Sequence, residues 1–465
     1  MRLHSILTVI VLTLLSLSPL TARAQEGSGG LYIKVDSPNF KKSVMAIPPF
    51  QFTGSPNSAK NGIEIGKELY DVFKNDMEVS GFFTLMNPSA FIEDVRNVGL
   101  RPATIESGGF KFESWQQIGA EFLVRVGYRV LGDSLTVDTY TYYVPQQKLI
   151  LGKTYKSTVN SVRTVAHTFA NDLVKELTGQ RGIFLSKIVV SRSTRPHEKE
   201  IFIMDWDGGN PRQVTNHRSI AQSPTWSFDG KMIAYSAFAY HVKEKTRNMD
   251  LFTYSLETGK RLLVSYRRGI NSGASFTPDG RSILLTISNE GTPDIYRINL
   301  DGKGLVRLTH STGGVMNVEP VMSPDGKKIA FSSTRAGRPM IYVMDADGSN
   351  VKRLTFAGEY NSTPAWSPDS KRIAFAGLDK THYDIFVMNA DGTNMIRITS
   401  AKKPNGKMAN NEDPSFSPDG RYILFRSDRT GKYQLYIASA DGEFERRITF
   451  DQHEYFKPRW SPAFE

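Results

Sequence analysis

Three carboxylates stand where an enzyme would want them. Glu319, Glu412 and Asp413 each sit just ahead of an apolar run, in "EPVMS" and "EDPSFS". One protonated and one ionised carboxyl group on either side of a bond would make a glycosidase-type site, but sequence alone does not set any two at a working separation. Other chemistries have less to stand on. The chain has no cysteine, which excludes thiol nucleophiles, disulfides and zinc–thiolate centres. Its eight histidines form no H-x-H or H-x-x-x-H pair, so no metal site is expected. His167 falls within a helical stretch and reads as a packed residue. No G-x-S-x-G elbow occurs. "DWDGG" from Asp205 and "DADGS" from Asp345 resemble calcium loops but lack the third ligand and the distal glutamate, and read as turns. The expectation is no catalytic residue, no metal and no cofactor.

The elements that would position these carboxylates repeat along the chain. "SPTWSFDGKMIAYSA" from Ser223, "GASFTPDGRSILLT" from Gly273, "EPVMSPDGKKIAFSS" from Glu319, "STPAWSPDSKRIAFAG" from Ser362 and "DPSFSPDGRYILFRS" from Asp413 are copies of one sentence. The turn aspartates Asp229, Asp279, Asp325, Asp369 and Asp419 follow one another at 44 to 50 residues, the period of four-stranded propeller blades. Within a copy, "SPDG" supplies proline where φ should be near −65° and glycine where it should be positive. "KIAFSS" and "MIYVMDA" are apolar enough for strands buried between stacked sheets. After a second glycine turn comes a short strand closing on "RLT", a motif that the second copy lacks on this reading. The final "PRWSP" is a first strand without its second, and "KIVVSRS" from Lys187 is a second without its first. Joined, they give six blades and a closed ring with no free sheet edge. Antiparallel order puts the SPDG and DADG turns on one face and the loops between blades on the other. Those loops carry Arg192, Arg195, Lys199, Lys243, Lys245, Arg247, Arg335, Arg338, Lys380, Lys402 and Lys403.

Ahead of the ring the periodicity changes. Ile65, Leu69, Val72 and Phe73 fall at helical spacing in 61–81. A hairpin is expected to turn at Gly132-Asp133, and a last helix to stop at Gly179. Before all this, the apolar run Ile6–Leu20 and the small residues at Ala22 and Ala24 make a cleavable export signal; as a membrane anchor the run would be short of the roughly 20 residues that span a bilayer. The expected fold class is thus an α/β N-terminal domain followed by an all-β six-bladed β-propeller closed by both ends of the propeller segment. The divisions are signal 1–24, α/β domain 25–180 and propeller 185–465. Charge is uneven: 16 basic and 16 acidic residues lie between Gln25 and Gln180, but 40 face 31 from Arg181 onward. In an exported protein that excess suits an acidic protein or an envelope surface better than nucleic acid.

The signal, "LYIKVDSPNFKKSVMAIPPF" (Leu31 to Phe50), the α/β domain and the six blades with "SPDG" and "YVMDADG…RLT" together resemble the TolB family of Tol–Pal system periplasmic propeller proteins. The resemblance implies a non-enzymatic periplasmic adaptor, a monomer that inserts in no membrane and binds no nucleic acid. It implies docking of the peptidoglycan-associated lipoprotein at the channel mouth, through Asn271, Gly273, Asn317, Glu319, Asn361, Thr363, Glu412, Asp413 and Lys457. It also implies contact with the inner-membrane Tol complex through Leu31, Tyr32, Ile33, Lys34, Val35 and Asp36, an alternating strand able to extend another sheet. Such an adaptor supports outer-membrane integrity and constriction at division. The competing reading is a propeller hydrolase or lyase acting on envelope peptide or glycan.

Overall fold

In a computed structural model, the structure describes residues 41–55, 59–241, 246–288 and 291–462. The proposed signal and Leu31–Asp36 lie outside these residues. The first unit runs β1 (Ser43–Ala46), β2 (Gln51–Phe52), α1 (Ala59–Ser80), β3 (Phe83–Leu85), α2 (Phe112–Gln117), β4 (Phe122–Leu131), β5 (Ser134–Tyr143), β6 (Lys148–Thr158) and α3 (Val162–Thr178). Its sheet has the order β3-β1-β4-β5-β6, with β2 on β4. β1 runs parallel to β3 and β4, while β4, β5 and β6 form an antiparallel meander. The helical spacing in 61–81 is that of α1, whose Leu69, Val72, Phe73 and Met77 are buried. Phe73 stacks on Phe169 of α3 with ring centres 4.3 Å apart. Gly179 ends α3 at φ 73°, a conformation open to glycine without penalty.

The second unit is six four-stranded antiparallel sheets. Counting from the first SPDG-type copy, their inner strands are Ala221–Trp226, Asn271–Phe276, Asn317–Met322, Tyr360–Trp366, Asn411–Phe416 and Tyr455–Trp460. Each packs beside the next, and the sixth beside the first. Blade six pairs Tyr455–Trp460 with Lys187–Arg195, so both ends of the propeller segment share one sheet. Ser461 N–H donates to Lys187 O at 2.8 Å, and Lys187 N–H to Ser461 Oγ at 3.0 Å.

Side chains explain the repeated words. In each SPDG-type turn the hydroxyl bonds the aspartate, as Ser323 Oγ does Asp325 Oδ1 at 2.6 Å, and that carboxylate takes the N–H two residues on. The threonine at this place, ending RLT, RIT or, at Thr215, QVT, accepts from the third strand: Ile201, Ile295, Ile341, Ile385 and Leu435 N–H donate to Thr215, Thr309, Thr355, Thr399 and Thr449 Oγ1. The missing RLT belongs to the first copy, not the second: "RLLVS" (Arg261–Ser265) closes the sheet of Ala221–Trp226, while Arg307-Leu308-Thr309 serves the sheet of Asn271–Phe276. The period was legible, but assigning a fourth strand to its blade needed the strand pairing.

Candidate functional site at the propeller channel

The inner strand is the edge strand of its blade, and in all six blades it is interrupted by a bulge at one equivalent position. The bulged residues are Ser223, Gly273, Glu319, Thr363, Asp413 and Lys457, with φ of 52°, 65°, 56°, 52°, 60° and 48°. Five precede a proline, which has no N–H for the ladder and is tolerated at an edge-strand bulge. A left-handed residue costs an L side chain about 1–2 kcal/mol, and only Gly273 escapes it. The residues so strained form a ring around the channel.

Three of them are joined across it. Blade six stands opposite blade three, and Lys457 Nζ reaches Glu319 Oε1 at 2.9 Å while also holding Asp413 Oδ1 of blade five at 2.9 Å. Thr363 N–H of blade four donates to Glu319 Oε2 at 2.8 Å. Four blades thus meet in one charged bar. Asp413 also faces Arg426 Nε at 2.7 Å, and Arg426 Nη2 donates to Glu412 Oε2 at 2.8 Å, which accepts Tyr433 O–H on its other oxygen at 2.8 Å. Burial alone would raise the Asp413 carboxyl, but Arg426, Lys457 and Arg459 hold it well below the usual carboxylate range. Burial would likewise lower Lys457, but Asp413 and Glu319 keep its proton on above the ordinary lysine value.

The ring brings together Gly273, Glu319, Thr363, Asp413 and Lys457, with Glu412 beside it. Asn271, Asn317 and Asn361 are placed elsewhere: they are buried, and their amides are spent inside the blades. Asn271 Nδ2 donates to Met249 O and Arg267 O. Asn361 Nδ2 donates to Ala357 O at 2.8 Å. Asn317 Nδ2 donates to Asp294 Oδ1 at 2.8 Å and its Oδ1 accepts Arg335 Nη2 at 2.9 Å. Asn411, Asp384 and Arg429 repeat that arrangement in the fifth blade. These asparagines buckle one blade to the next. Sequence reasoning missed Ser223, although alignment of the copies on SPDG puts it in the ring; Arg426, Tyr433 and Arg459 carry no repeated signal.

The basic loop face is also partly spent. Arg335 is committed to Asn317, Lys403 pairs with Asp428 at 2.7 Å, Arg338 with Glu359 at 2.6 Å, and Lys199 lies 3.4 Å from the centre of the Phe456 ring. Arg195, Arg247, Lys380 and Lys402 remain exposed, while Lys243 and Lys245 lie outside the described residues.

A second polar cluster lies where the two units meet. His167, Asp205 and Asp207 offer ligand atoms within 4.8 Å of one another. However, Arg163 bonds Asp205 at 3.0 Å and Asp207 at 2.6 Å, and Lys187 bonds Asp205 at 2.6 Å. The two carboxylates are already matched by two cations, so the group is a clasp between units. His167 Nδ1 bonds Asp76 Oδ2 at 2.7 Å. Burial pushes Asp76 up to about 6 against the pull of His167. Burial would lower His167, but Asp76, Asp207 and Asp205 raise it above its ordinary value.

Comparison with known proteins agrees with this architecture. The TolB beta propeller domain family matches residues 174–365 and 360–464, and the TolB amino-terminal domain family residues 31–150. The Tol-Pal system protein TolB of Desulfosudis oleivorans is 34% identical over 307 residues, covering 66% of this chain and 65% of that protein. That of Geobacter metallireducens is 37% identical over 227 residues, covering 49% of each. The match therefore spans less than two thirds of these relatives' length. The crystal structure of TolB from Acinetobacter baumannii superposes with a TM-score of 0.72 at 26% identity, covering 91% of this chain and 97% of that one. On its sequence, its order of units and its six-bladed ring, the chain belongs to the TolB family.

Proposed function

We propose that the chain is a non-enzymatic adaptor of the Tol–Pal system, working in the periplasm and docking the peptidoglycan-associated lipoprotein on the loop face of its propeller. The observation that carries this is the charged bar of Glu319, Lys457 and Asp413 set in a rigid ring of bulges. Its polar atoms, with Glu412, Gly273 and Thr363 around them, offer donors and acceptors to a chain laid over the mouth. The blades that hold them are fixed beforehand, so little ordering opposes docking. Exposed Arg195, Arg247, Lys380 and Lys402 would steer an acidic partner. The inner-membrane Tol complex is assigned to Leu31–Asp36, and the two contacts together would serve outer-membrane integrity and division. The hydrolase reading is weaker: Asp413 is held ionised by its cations and so cannot be the acid of a carboxyl pair.

Calorimetry of the chain with the soluble domain of the organism's own lipoprotein tests the reading. Saturable one-to-one binding is expected, weakened at least tenfold by Glu319→Ala or Glu412→Ala. Folded proteins that fail to bind at tens of micromolar would remove the adaptor assignment and call for a screen of hydrolysis.

A further inference from the structure

The channel holds a cavity of about 550 Å³, within the range of small-molecule sites. Beyond the charged bar, toward the SPDG turns, its wall is built from Trp226, Phe276, Met322, Trp366, Phe416 and Trp460. The three indoles present carbon to it. Their N–H groups are already used, by Arg459 O at 3.1 Å, Val321 O at 3.0 Å and Ser186 Oγ at 2.7 Å. One cation breaks this apolar wall. Aligned on the turn, the position before the wall residue is Thr225, Ser275, Val321, Ala365 and Ser415 in blades one to five, and Arg459 in blade six. Five blades carry a small side chain there and the sixth a guanidinium.

Arg459 lines the cavity, and its guanidinium makes two hydrogen bonds to described residues, both from Nη1: to Pro414 O at 3.1 Å and Pro458 O at 3.2 Å. Its Nε and Nη2 donors have no acceptor among the described residues. Asp413, whose carboxyl Arg459 helps to hold ionised, bonds Lys457 and Arg426, and Glu319 bonds Lys457; neither carboxylate bonds the Arg459 guanidinium directly. A guanidinium carries five donors and stays charged, and Arg459 is half-buried, so the donors it does not use open onto the cavity. A planar carboxylate meets such a fork with two oxygens. From this juxtaposition we infer that the turn-side chamber of the channel is a binding site for a small apolar carboxylate, an aromatic or short aliphatic acid, its acid group on Arg459 and its hydrocarbon against the tryptophans. This does not rest on the lipoprotein reading, which concerns the loop face.

Indole-3-acetate, 4-phenylbutyrate and hexanoate serve as probes on the whole chain, each beside its neutral amide, with binding read by calorimetry. At least one acid should bind saturably, one to one, and at least tenfold more tightly than its amide. Arg459→Gln should remove that preference while glutamate substitutions at the loop face, such as Glu412→Ala, leave it. The acid–amide comparison needs no variant and stands even if Arg459→Gln fails to fold. No binding of any acid at millimolar concentration, equal binding of acid and amide, or an unchanged preference in folded Arg459→Gln would each overturn the site. Tenfold tighter binding of a peptide ending in a free carboxylate would overturn the small-molecule assignment.

Discussion

Lys457 does at one atom what a channel plug does with a loop: a single ammonium neutralises carboxylates from two other blades. Removing it leaves Arg426 as the direct ion-pair partner of buried Asp413 and takes from Glu319 its ion pair with Lys457. Lys457→Met should therefore lower unfolding free energy by about 2–4 kcal/mol at neutral pH, since breaking a buried pair strands its partner. Urea denaturation measures this. The pH dependence has a definite sign. A carboxyl depressed on folding stabilises above its unfolded value near 3.9 and loses that contribution as pH falls through the folded value. The gap between wild type and Lys457→Met should accordingly shrink below about pH 4. At this scale the sequence was informative where repeats could be aligned: Glu319, Asp413 and Lys457 fall in register by counting from SPDG. It was silent on which side chains meet, because Glu319 and Lys457 are 138 residues apart and joined only by ring closure. It did not separate the asparagines from the ring, since a polar residue at a strand start looks the same whether it faces the channel or the neighbouring blade.

Strand order and blade count were open to reading because a buried strand must be apolar and a tight turn must hold glycine or proline. The bulge was not, since nothing in propensity announces a left-handed threonine before proline. That conformation is a stored cost that can be released. Thr363→Gly keeps the N–H that binds Glu319 and removes a β-branched side chain from φ 52°. Against glycine's extra chain entropy of about 0.5–1 kcal/mol, a net gain of roughly 0.5–1 kcal/mol is expected, seen as a Tm higher by about 1–3 °C in calorimetric scans. The asparagine buckle should behave in the opposite way. Asn317→Ala leaves the Asp294 carboxylate and the Arg335 guanidinium each short of a partner. A loss of about 2–3 kcal/mol follows from those unpaired groups, and Asn317→Ala with Asp294→Ala should cost less than the sum of the two.

The two units share one core. Val79, Phe82 and Leu177 of the first are continuous with Phe184, Trp206, Tyr422 and Trp460 of the second. Arg421 and Tyr422 bond the carbonyls of Ser80 and Val79, and Arg446 meets Glu78 at 3.0 Å. Composition shifts marked where one unit stops, but the extent of this joint could not be read, because it is made from turn residues of blades five and six whose words match those of free turns. The His167–Asp76 pair sits in the joint. Both groups are raised on folding, so both favour the folded state at lower pH, Asp76 losing its contribution as pH rises through about 6 and His167 as pH rises from its unfolded value through its folded one. Wild-type stability should decline up to about pH 6 as Asp76 ionises and further as His167 loses its proton above its ordinary value, and His167→Gln should remove the second part of that decline in denaturation curves.

The sheet that takes strands from both ends of the propeller has a consequence in time. Chains are made from the N-terminus, so Lys187–Arg195 exists long before Tyr455–Trp460 can pair with it. Until residue 460 is in place, Lys187–Arg195 keeps an open edge. Loop closure over some 270 residues must come last, which is the slow, non-local kind of step. The sixth sheet stays half-built until the closing strand arrives, and it is in that interval that a holding chaperone or a protease would find its opportunity.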